Sequence, residues 1–321
     1  MTYFVEIANP AVHYPALARL LNHFEPDPIA AANIQEWDRR NEGNILQRSV
    51  VCNADGAIIG YSVALQGPWN QPGEFYLWLG THPEQRGQGI GQQLYNHALA
   101  FIQAHQGTAI TTEVSEDQAE GLRFAATHGF VRGKHTFQSR LDLADFDEAP
   151  FAAMVEAVAA GGIRFYTLAD VADTEAARRG LYDINRRVSL DDPGSDGLFP
   201  TFEEFSQVLF PAPWYRPAGQ WLAADGERIV GMCAAGYFQE SNSMYNMMTG
   251  VDKAYRGRGI AQALKVLAIR WAKAYGADYI RTNNNSENAP MLTINRKLGY
   301  QPQPGSYTLT KKLTKKEVNH V

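Results

Sequence analysis

A chain of 321 residues predicts two domains of about 150 residues each. Its 45% hydrophobic and 20% charged residues are an ordinary globular balance, and no run approaches ~18 apolar residues, so no membrane span is expected. A net charge of −5 argues against a nucleic-acid surface, which calls for a basic patch. The basic tail Lys311-Lys312-Leu313-Thr314-Lys315-Lys316 is expected as a frayed end. Met1 to Glu6 carries no basic leader, and Cys52 and Cys233 are expected as thiols on strands, so the chain is placed in the cytoplasm as a monomer or homodimer.

Tyr3 to Ile7 alternates as a first strand, and Leu17, Leu20, Leu21 and Phe24 recur at helical spacing, with Pro15 expected in the first turn and Pro26 and Pro28 beyond the end. A second helix is expected over 29–41. Leu46 to Asn53, the turn Asn53-Ala54-Asp55-Gly56 and Ala57 to Leu65 form a hairpin. Beyond the loop Gly67-Pro68-Trp69-Asn70-Gln71-Pro72-Gly73, Phe75 to Thr81 is a strand leading into Gln85-Arg86-Gly87-Gln88-Gly89-Ile90-Gly91. A helix carrying Leu94, Ala98 and Phe101 follows, then a strand over Ala109 to Val114, a helix over 117–127 and a strand pair over 130–143.

The first domain is drawn over 1–145, a linker over 146–161 and the second domain over 162–321. Ile163 to Leu168 opens the second domain, followed by a helix over 173–188, the turn-rich Asp191 to Gly197, a helix over Phe202 to Leu209 and a strand over Gln220 to Ala224. The order of the first half then returns. Adding 170 carries Arg86 to Arg256, Gly89 to Gly259, Leu94 to Leu264 and Gly129 to Gly299; a gapless pairing of 75–130 with 245–300 holds 14 identities in 56 positions. So long a period marks duplicated domains, since solenoid units are about 20–50 residues. Glycines that join a strand to a helix let a phosphate reach bare N–H groups at the helix start, so the chain carries a candidate phosphate loop twice.

Arg86-Gly87-Gln88-Gly89-Ile90-Gly91 and Arg256-Gly257-Arg258-Gly259-Ile260-Ala261 both resemble the [Gln/Arg]-x-x-Gly-x-[Gly/Ala] motif of the GNAT superfamily of N-acetyltransferases, and Gly129-Phe130 and Gly299-Tyr300 match its closing Gly-aromatic pair. The duplicated layout resembles the superfamily's tandem members. The resemblance implies an α/β (α+β) chain of two tandem GNAT-like domains, each a mixed, mostly antiparallel sheet flanked by helices and splayed at a cofactor cleft. It also implies acetyl-CoA as co-substrate and an amine of a small molecule as acceptor, with no metal. Neither loop is a Walker A motif or a dinucleotide fingerprint, because no Gly-Lys-[Ser/Thr] follows and the G-x-G-x-x-G spacing is absent.

Direct acyl transfer needs a donor site, a neutral nucleophile, an oxyanion stabiliser and a proton for the departing thiolate. The two loops are the expected cofactor sites, with or without contact from the Arg86 and Arg256 side chains. Backbone N–H groups in Leu79-Gly80-Thr81 or Thr249-Gly250-Val251 are expected to hold the oxyanion, with Gly80 and Gly250 either bulged or simply close-packed. Asn288 stands where the family contacts the pantetheine arm, or else caps a helix. The halves differ beyond it: Glu113 in the first is a candidate base, whereas the second has Asn283 among its amides. Family members carry an acidic tyrosine four residues before the closing glycine; here Ala125 and Asn295 stand there, and Asn295 can hydrogen-bond to sulfur but cannot deliver its proton. The amide cluster of the second domain resembles the family's cofactor cleft more closely, and tandem relatives often keep the chemistry in the C-terminal half, so the resemblance implies that the second domain does the chemistry. A non-catalytic acyl-CoA sensor is the competing class, and two active domains with different acceptors a third.

Overall fold

The computed structural model describes residues 3–24, 29–67, 70–191, 195 and 197–313. Pro26, Pro28, Pro68, Trp69, Asp192-Pro193-Gly194, Asp196 and the tail from Thr314 lie outside them. In chain order the elements are β1 (Val5–Ile7), α1 (Pro10–Leu21), α2 (Ala31–Arg40), β2 (Ile45–Cys52), β3 (Ile58–Gln66), β4 (Glu74–Thr81), α3 (Ile90–Ala104), β5 (Ala109–Ser115), α4 (Ala119–Thr127) and β6 (Val131–Asp142). They continue with α5 (Ala149–Ala160), β7 (Ile163–Thr167), α6 (Glu175–Leu190), α7 (Phe202–Leu209), β8 (Gln220–Asp225), β9 (Arg228–Phe238), β10 (Ser243–Val251), α8 (Ile260–Tyr275), β11 (Tyr279–Asn285), α9 (Ala289–Lys297) and β12 (Gln301–Lys312). The duplication holds to the residue: α3, β5, α4 and β6 each begin 170 positions before α8, β11, α9 and β12.

Two compact units result, one of residues 1–133 with 307–321 and one of residues 134–306. In the first, strands β1 to β5 lie in sequence order and the end of the chain, in β12, lies beside β5. Leu309 of that strand is buried with Phe75, Leu77, Tyr95 and Ile110, so β12 completes this unit's core. In the second the order is β6-β11-β10-β9-β8-β7, with β6 antiparallel to β11 from Tyr279↔Asp142 to Asn285↔Thr136. Each sheet is therefore finished by the last strand of the other half. The strand pair expected over 130–143 is one twelve-residue strand, since these strands find their partners from distant parts of the chain and not across a local turn.

Local rules account for most helix ends. Asn9 caps α1 through Ala11 N, and Pro10 fills its first position, so the helix starts five residues before Pro15, which sits inside it. Thr201 and Glu204 form a reciprocal capping box on α7. Helix α8 is the buried one: Ala263, Leu264, Val266, Ala268, Ile269 and Ala272 are nearly inaccessible, and each large apolar side chain so buried contributes about 2 kcal/mol. Among the described residues no helix is long and apolar enough to cross a membrane.

Candidate active site

The second unit's site begins where a strand ladder stops. β10 and β11 run parallel and pair only from Ser243↔Tyr279 to Tyr245↔Arg281. Beyond Tyr245, β10 stays on β9 and β11 stays on β6, so the two strands part. At the point of parting, the Thr282 hydroxyl donates to the Asn246 carbonyl at 2.9 Å. The ladder between β10 and β9 also slips there: Asn246 faces Ala235 and Met248 faces Ala234, which leaves Met247 as a bulge. The amide of Asn246 spans the bulge, donating to Ala234 O at 3.0 Å and Met248 O at 3.2 Å.

Gly250 is not the bulge. A Cβ there would stand 2.6 Å from Val188 of α6, and one at Gly80 would stand 2.6 Å from the Tyr61 ring. β4 pairs with β3 without a slip from Gly60↔Thr81 to Leu65↔Tyr76. Both glycines are there for close packing, and the bulge falls three residues upstream, in the second unit alone.

The chain then turns through Asp252, whose carboxylate accepts Ala254 N at 3.1 Å, Arg187 at 2.7 Å and Arg228 at 2.9 Å. The Arg187 bond first, and the Ala254 and Arg228 bonds after it, hold its pKa down at about 2. In the first unit His82 has this place, with Nδ1 accepting Glu84 N at 3.3 Å, which makes it a turn residue. Gly259 and Gly89 follow, each the residue before a helix and each left-handed, at φ 80° and 82°. That backbone brings the first N–H groups of α8 and α3 to the loop without a side-chain cap, an arrangement suited to an anion.

In the second unit these groups open on a cleft of about 540 Å³ between β10, the α8 N-terminus and α9. Thr249, Gly250, Val251, Arg256, Gly257, Gly259, Ile260, Ala261 and Asn288 all line it, with Met248, Pro290, Met291 and Ile294. Asn288 also caps α9, accepting Met291 N at 3.3 Å, so a residue of the cleft wall is at the same time a helix cap. Arg258 stands apart from the lining, its guanidinium 4.7 Å from the centre of the Tyr255 ring. Arg256 donates to Val251 O at 3.1 Å and pairs with Asp191, so its charge is already committed.

The first unit shares the strand geometry. β4 and β5 also pair over three positions, Glu74↔Ala109 to Tyr76↔Thr111, and then diverge. Here Phe124 of α4 stands where the second unit has Ile294, and a Cβ on Gly91 would meet its ring at 3.6 Å and Thr81 Oγ1 at 3.7 Å. The Arg86 guanidinium reaches from the loop to Glu120 of α4, 3.5 Å away. Gln88 accepts the Tyr3 hydroxyl at 2.5 Å and donates to Gln85 at 3.1 Å, and Ile90 is buried against Leu94 and Val51. Leu79 packs beside this unit's core, and Gly87 is left-handed like Gly89. Phe124 and the Arg86–Glu120 pair thus stand at the positions where the second unit has Ile294, Arg256 and Pro290 lining its cleft.

The candidate catalytic residues are not gathered in one place. Glu113 is exposed on β5 of the first unit and Asn283 is exposed on β11 of the second. Asn295 is 2% exposed, and its Nδ2 donates to Asn284 Oδ1 at 2.7 Å. Asn284 in turn donates to Ser139 Oγ at 2.9 Å and Phe137 O at 3.1 Å, which orients both amides and leaves Asn295 Oδ1 buried without a partner. Asn295 is thus held in a buried amide network, and Asn295→Ala should strand Asn284 Oδ1. We expect it to cost about 1–3 kcal/mol of stability, read as a lower unfolding midpoint in urea, with turnover reduced by no more than roughly tenfold.

One cluster was hidden in the sequence. Lys265, 1% exposed on α8, donates to Asn246 Oδ1 at 2.5 Å and lies 5.1 Å from the Tyr300 ring centre. Thr249 of the cleft wall donates to the same Asn246 oxygen at 3.0 Å. The buried Cys233 sulfur lies 3.2 Å from the Asn246 amide nitrogen and 3.4 Å from the Thr249 hydroxyl oxygen. Burial pushes the Cys233 thiol and the Tyr300 phenol up and draws Lys265 down to about 8. Read on the sequence, Lys265 is a routine helix lysine; only its position a turn before the apolar Ala268 and Ile269 hints otherwise. A second grouping, Glu6, His13 and Cys52, draws one O, N and S ligand atom within 4.8 Å in the first unit, from three elements that spacing cannot connect. His13 Nδ1 accepts the Asn9 N–H at 2.9 Å. That bond puts the ring proton on Nε2, the nitrogen facing Glu6, and takes it out of ligation.

The model of the Acetyltransferase (GNAT) family matches residues 14–130 and again 189–300, so it covers most of both halves. The chain belongs to the GNAT acetyltransferase family. Curated relatives include a mycothiol acetyltransferase of Nocardioides sp., 24% identical over 257 residues that span 72% of this chain and 80% of that protein. A second, from Beutenbergia cavernae, is 25% identical over 260 residues, 79% of this chain and 80% of that protein. Similar solved structures are a GCN5-related N-acetyltransferase from Sphaerobacter thermophilus (TM-score 0.68, 20% identity, 97% of this chain and 95% of that one) and a tandem GNAT protein from the clavulanic acid biosynthesis pathway (0.65, 20%, 97% and 98%). At such identities the structures show the fold: two GNAT domains in tandem. This tandem GNAT chain is an N-acetyltransferase, and its family uses acetyl-CoA.

Proposed function

We propose that the chain moves the acetyl group of acetyl-CoA directly to an amine of a small molecule, and that the second unit does so. The observation that carries this reading is the cleft between β10, the start of α8 and α9, beside the point where β10 and β11 part; in the first unit Phe124 and the Arg86–Glu120 pair stand at the matching positions. The pyrophosphate would meet the N–H groups from Gly257 to Ala261. A hollow of about 570 Å³ beside the loop, lined by Arg186, Arg187, Lys253 and Arg256, adds positive charge at that end. Arg187 and Arg256 are paired with Asp252 and Asp191, and Asp183 also lines the hollow, so Arg186 and Lys253 leave only a small positive excess for a phosphate.

The thioester would thread past Thr249 to the point where the strands part. A bulge takes its extra residue out of the ladder, so the Met247–Met248 main chain, not Gly250, is our choice for the oxyanion donor. Among the residues lining the cleft, Tyr255 has the only phenol, and its hydroxyl donates to Asp225 at 2.9 Å at the loop end. The thiolate would therefore take its proton from the substrate ammonium or from water. A calorimetric titration should show one acetyl-CoA site per chain, and turnover with an amine panel should release CoA. No heat of binding at millimolar acetyl-CoA would sink the proposal.

A further inference from the structure

On the face of β11 away from α8, Arg281 is the last residue in register with β10 before the strands part. Its guanidinium lies 5.1 Å from the Tyr245 ring centre and 5.4 Å from that of Phe238. Trp214 stacks on Phe238 at 6.3 Å and 14°, and both Trp214 and the Met247 side chain close over Gly236, where a Cβ would stand 2.7 and 2.9 Å from them. The group thus lies at the bulge, where the acetyl carbon would arrive.

Arg281 differs from its neighbours in what it lacks. Arg178, Arg187, Arg256 and Arg270 of the same unit each hold a carboxylate. Arg140, the residue opposite Arg281 on β6, is paired with Asp142 at 2.7 Å. Arg281 makes no hydrogen bond or ion pair among the described residues, and its Nε is buried without a partner. Ring faces compensate only part of the lost hydration of a guanidinium. They also leave its buried Nε–H unmet, and a buried donor is costly to leave unmet.

We infer that Arg281 is an acceptor-binding residue that takes a carboxylate of the substrate, whose apolar or planar portion rests on Tyr245, Phe238 and Trp214. One guanidinium without a counter-charge matches a monoanion, and the planar fork of N–H groups fits a carboxylate in two-point contact. Asn283, two residues along the same strand face and held by Gln138 at 3.5 Å, adds a neutral amide for the substrate's polar groups. This rests on the acyl-transfer reading above, and it narrows the acceptor to an amine that also carries a carboxylate.

The test uses the full chain with desulfo-CoA in the cleft and a series of amino acids, from glycine through 6-aminohexanoate to phenylalanine and short dipeptides, each beside its carboxamide. Titration calorimetry measures binding, and release of CoA from acetyl-CoA measures turnover. We expect at least one free acid to bind better than its amide, and Arg281→Gln to weaken that acid by roughly 10- to 100-fold without changing its amide. Arg281→Lys should recover part of the loss, and circular dichroism should show both variants folded. If amines are acetylated with no preference for the acid, the inference is overturned and acetyl transfer stands. If acids bind through Arg281 and none is acetylated, the carboxylate site stands and the transfer reading is what fails. If no acid binds wild type more tightly than Arg281→Gln, the inference is overturned whatever the turnover.

Discussion

Gly259→Glu is expected to abolish acetyl transfer, and Gly89→Glu to leave most of it. The pair is informative because the backbone cost is matched: both glycines precede a helix in the left-handed region, at φ 80° and 82°. Any side chain there costs of order 1–2 kcal/mol. What differs is the surroundings. At Gly259 a new carboxylate would enter the loop end of the open cleft, where the pyrophosphate must reach the N–H groups of α8, and a Cβ would already stand 3.3 Å from Val158 of α5. At Gly89 no atom lies within 4 Å of the added Cβ, so the change there meets little beyond the backbone cost. Circular dichroism should show both variants folded, and acetyl-CoA titration should show binding lost only at Gly259. The reverse result would move the chemistry to the first unit and make Glu113 the leading base. Full activity in both variants would show that each cleft works alone.

Lys265→Met should stabilise the protein at neutral pH and remove a rise in stability at alkaline pH. The ammonium is buried against one amide oxygen, a ring face and a thiol, with no carboxylate among its described partners. Burial therefore favours the neutral amine and lowers its pKa from 10.5 to about 8. Above that value, and up to the ordinary lysine range, the unfolded chain binds a proton that the folded chain has lost, so stability climbs as pH rises. Below it both states are charged and the full cost of burying the charge remains, of the order of 3 kcal/mol. Methionine keeps the length and removes the charge, while Thr249 still donates to Asn246 Oδ1. Denaturant unfolding of both proteins at pH 7 and pH 9.5 checks this. The variant's advantage should shrink at the higher pH, and an advantage equal at both values would show that Lys265 does not titrate within that range.

The sequence alone carried what is local. Strand and helix order, the left-handed glycines before α3 and α8, the cap at Asn288 and the duplication at 170 residues all follow from short-range patterns, which hold wherever the segment lies. The family followed from the same residues, because a phosphate loop is contiguous. What the tertiary structure decided involves partners far apart in the chain. Phe124 and Ile294 are equivalent apolar positions on equivalent helices, and only the folded chain sets the Phe124 ring beside Gly91 and Ile294 in the wall of the cleft. The bulge at Met247 depends on a slip against β9, which no residue of β10 announces. Each half ends in a strand that looks as if it closes its own sheet, yet the pairing of Tyr279–Asn285 with Thr136–Asp142 sends it to the other unit. Lys265 and Arg281 read as ordinary surface cations until the fold buries one against an amide and leaves the other without a counter-charge. Alternation and helical spacing report which face of an element is apolar; the residue that comes to lie opposite it is set only when the whole chain has packed.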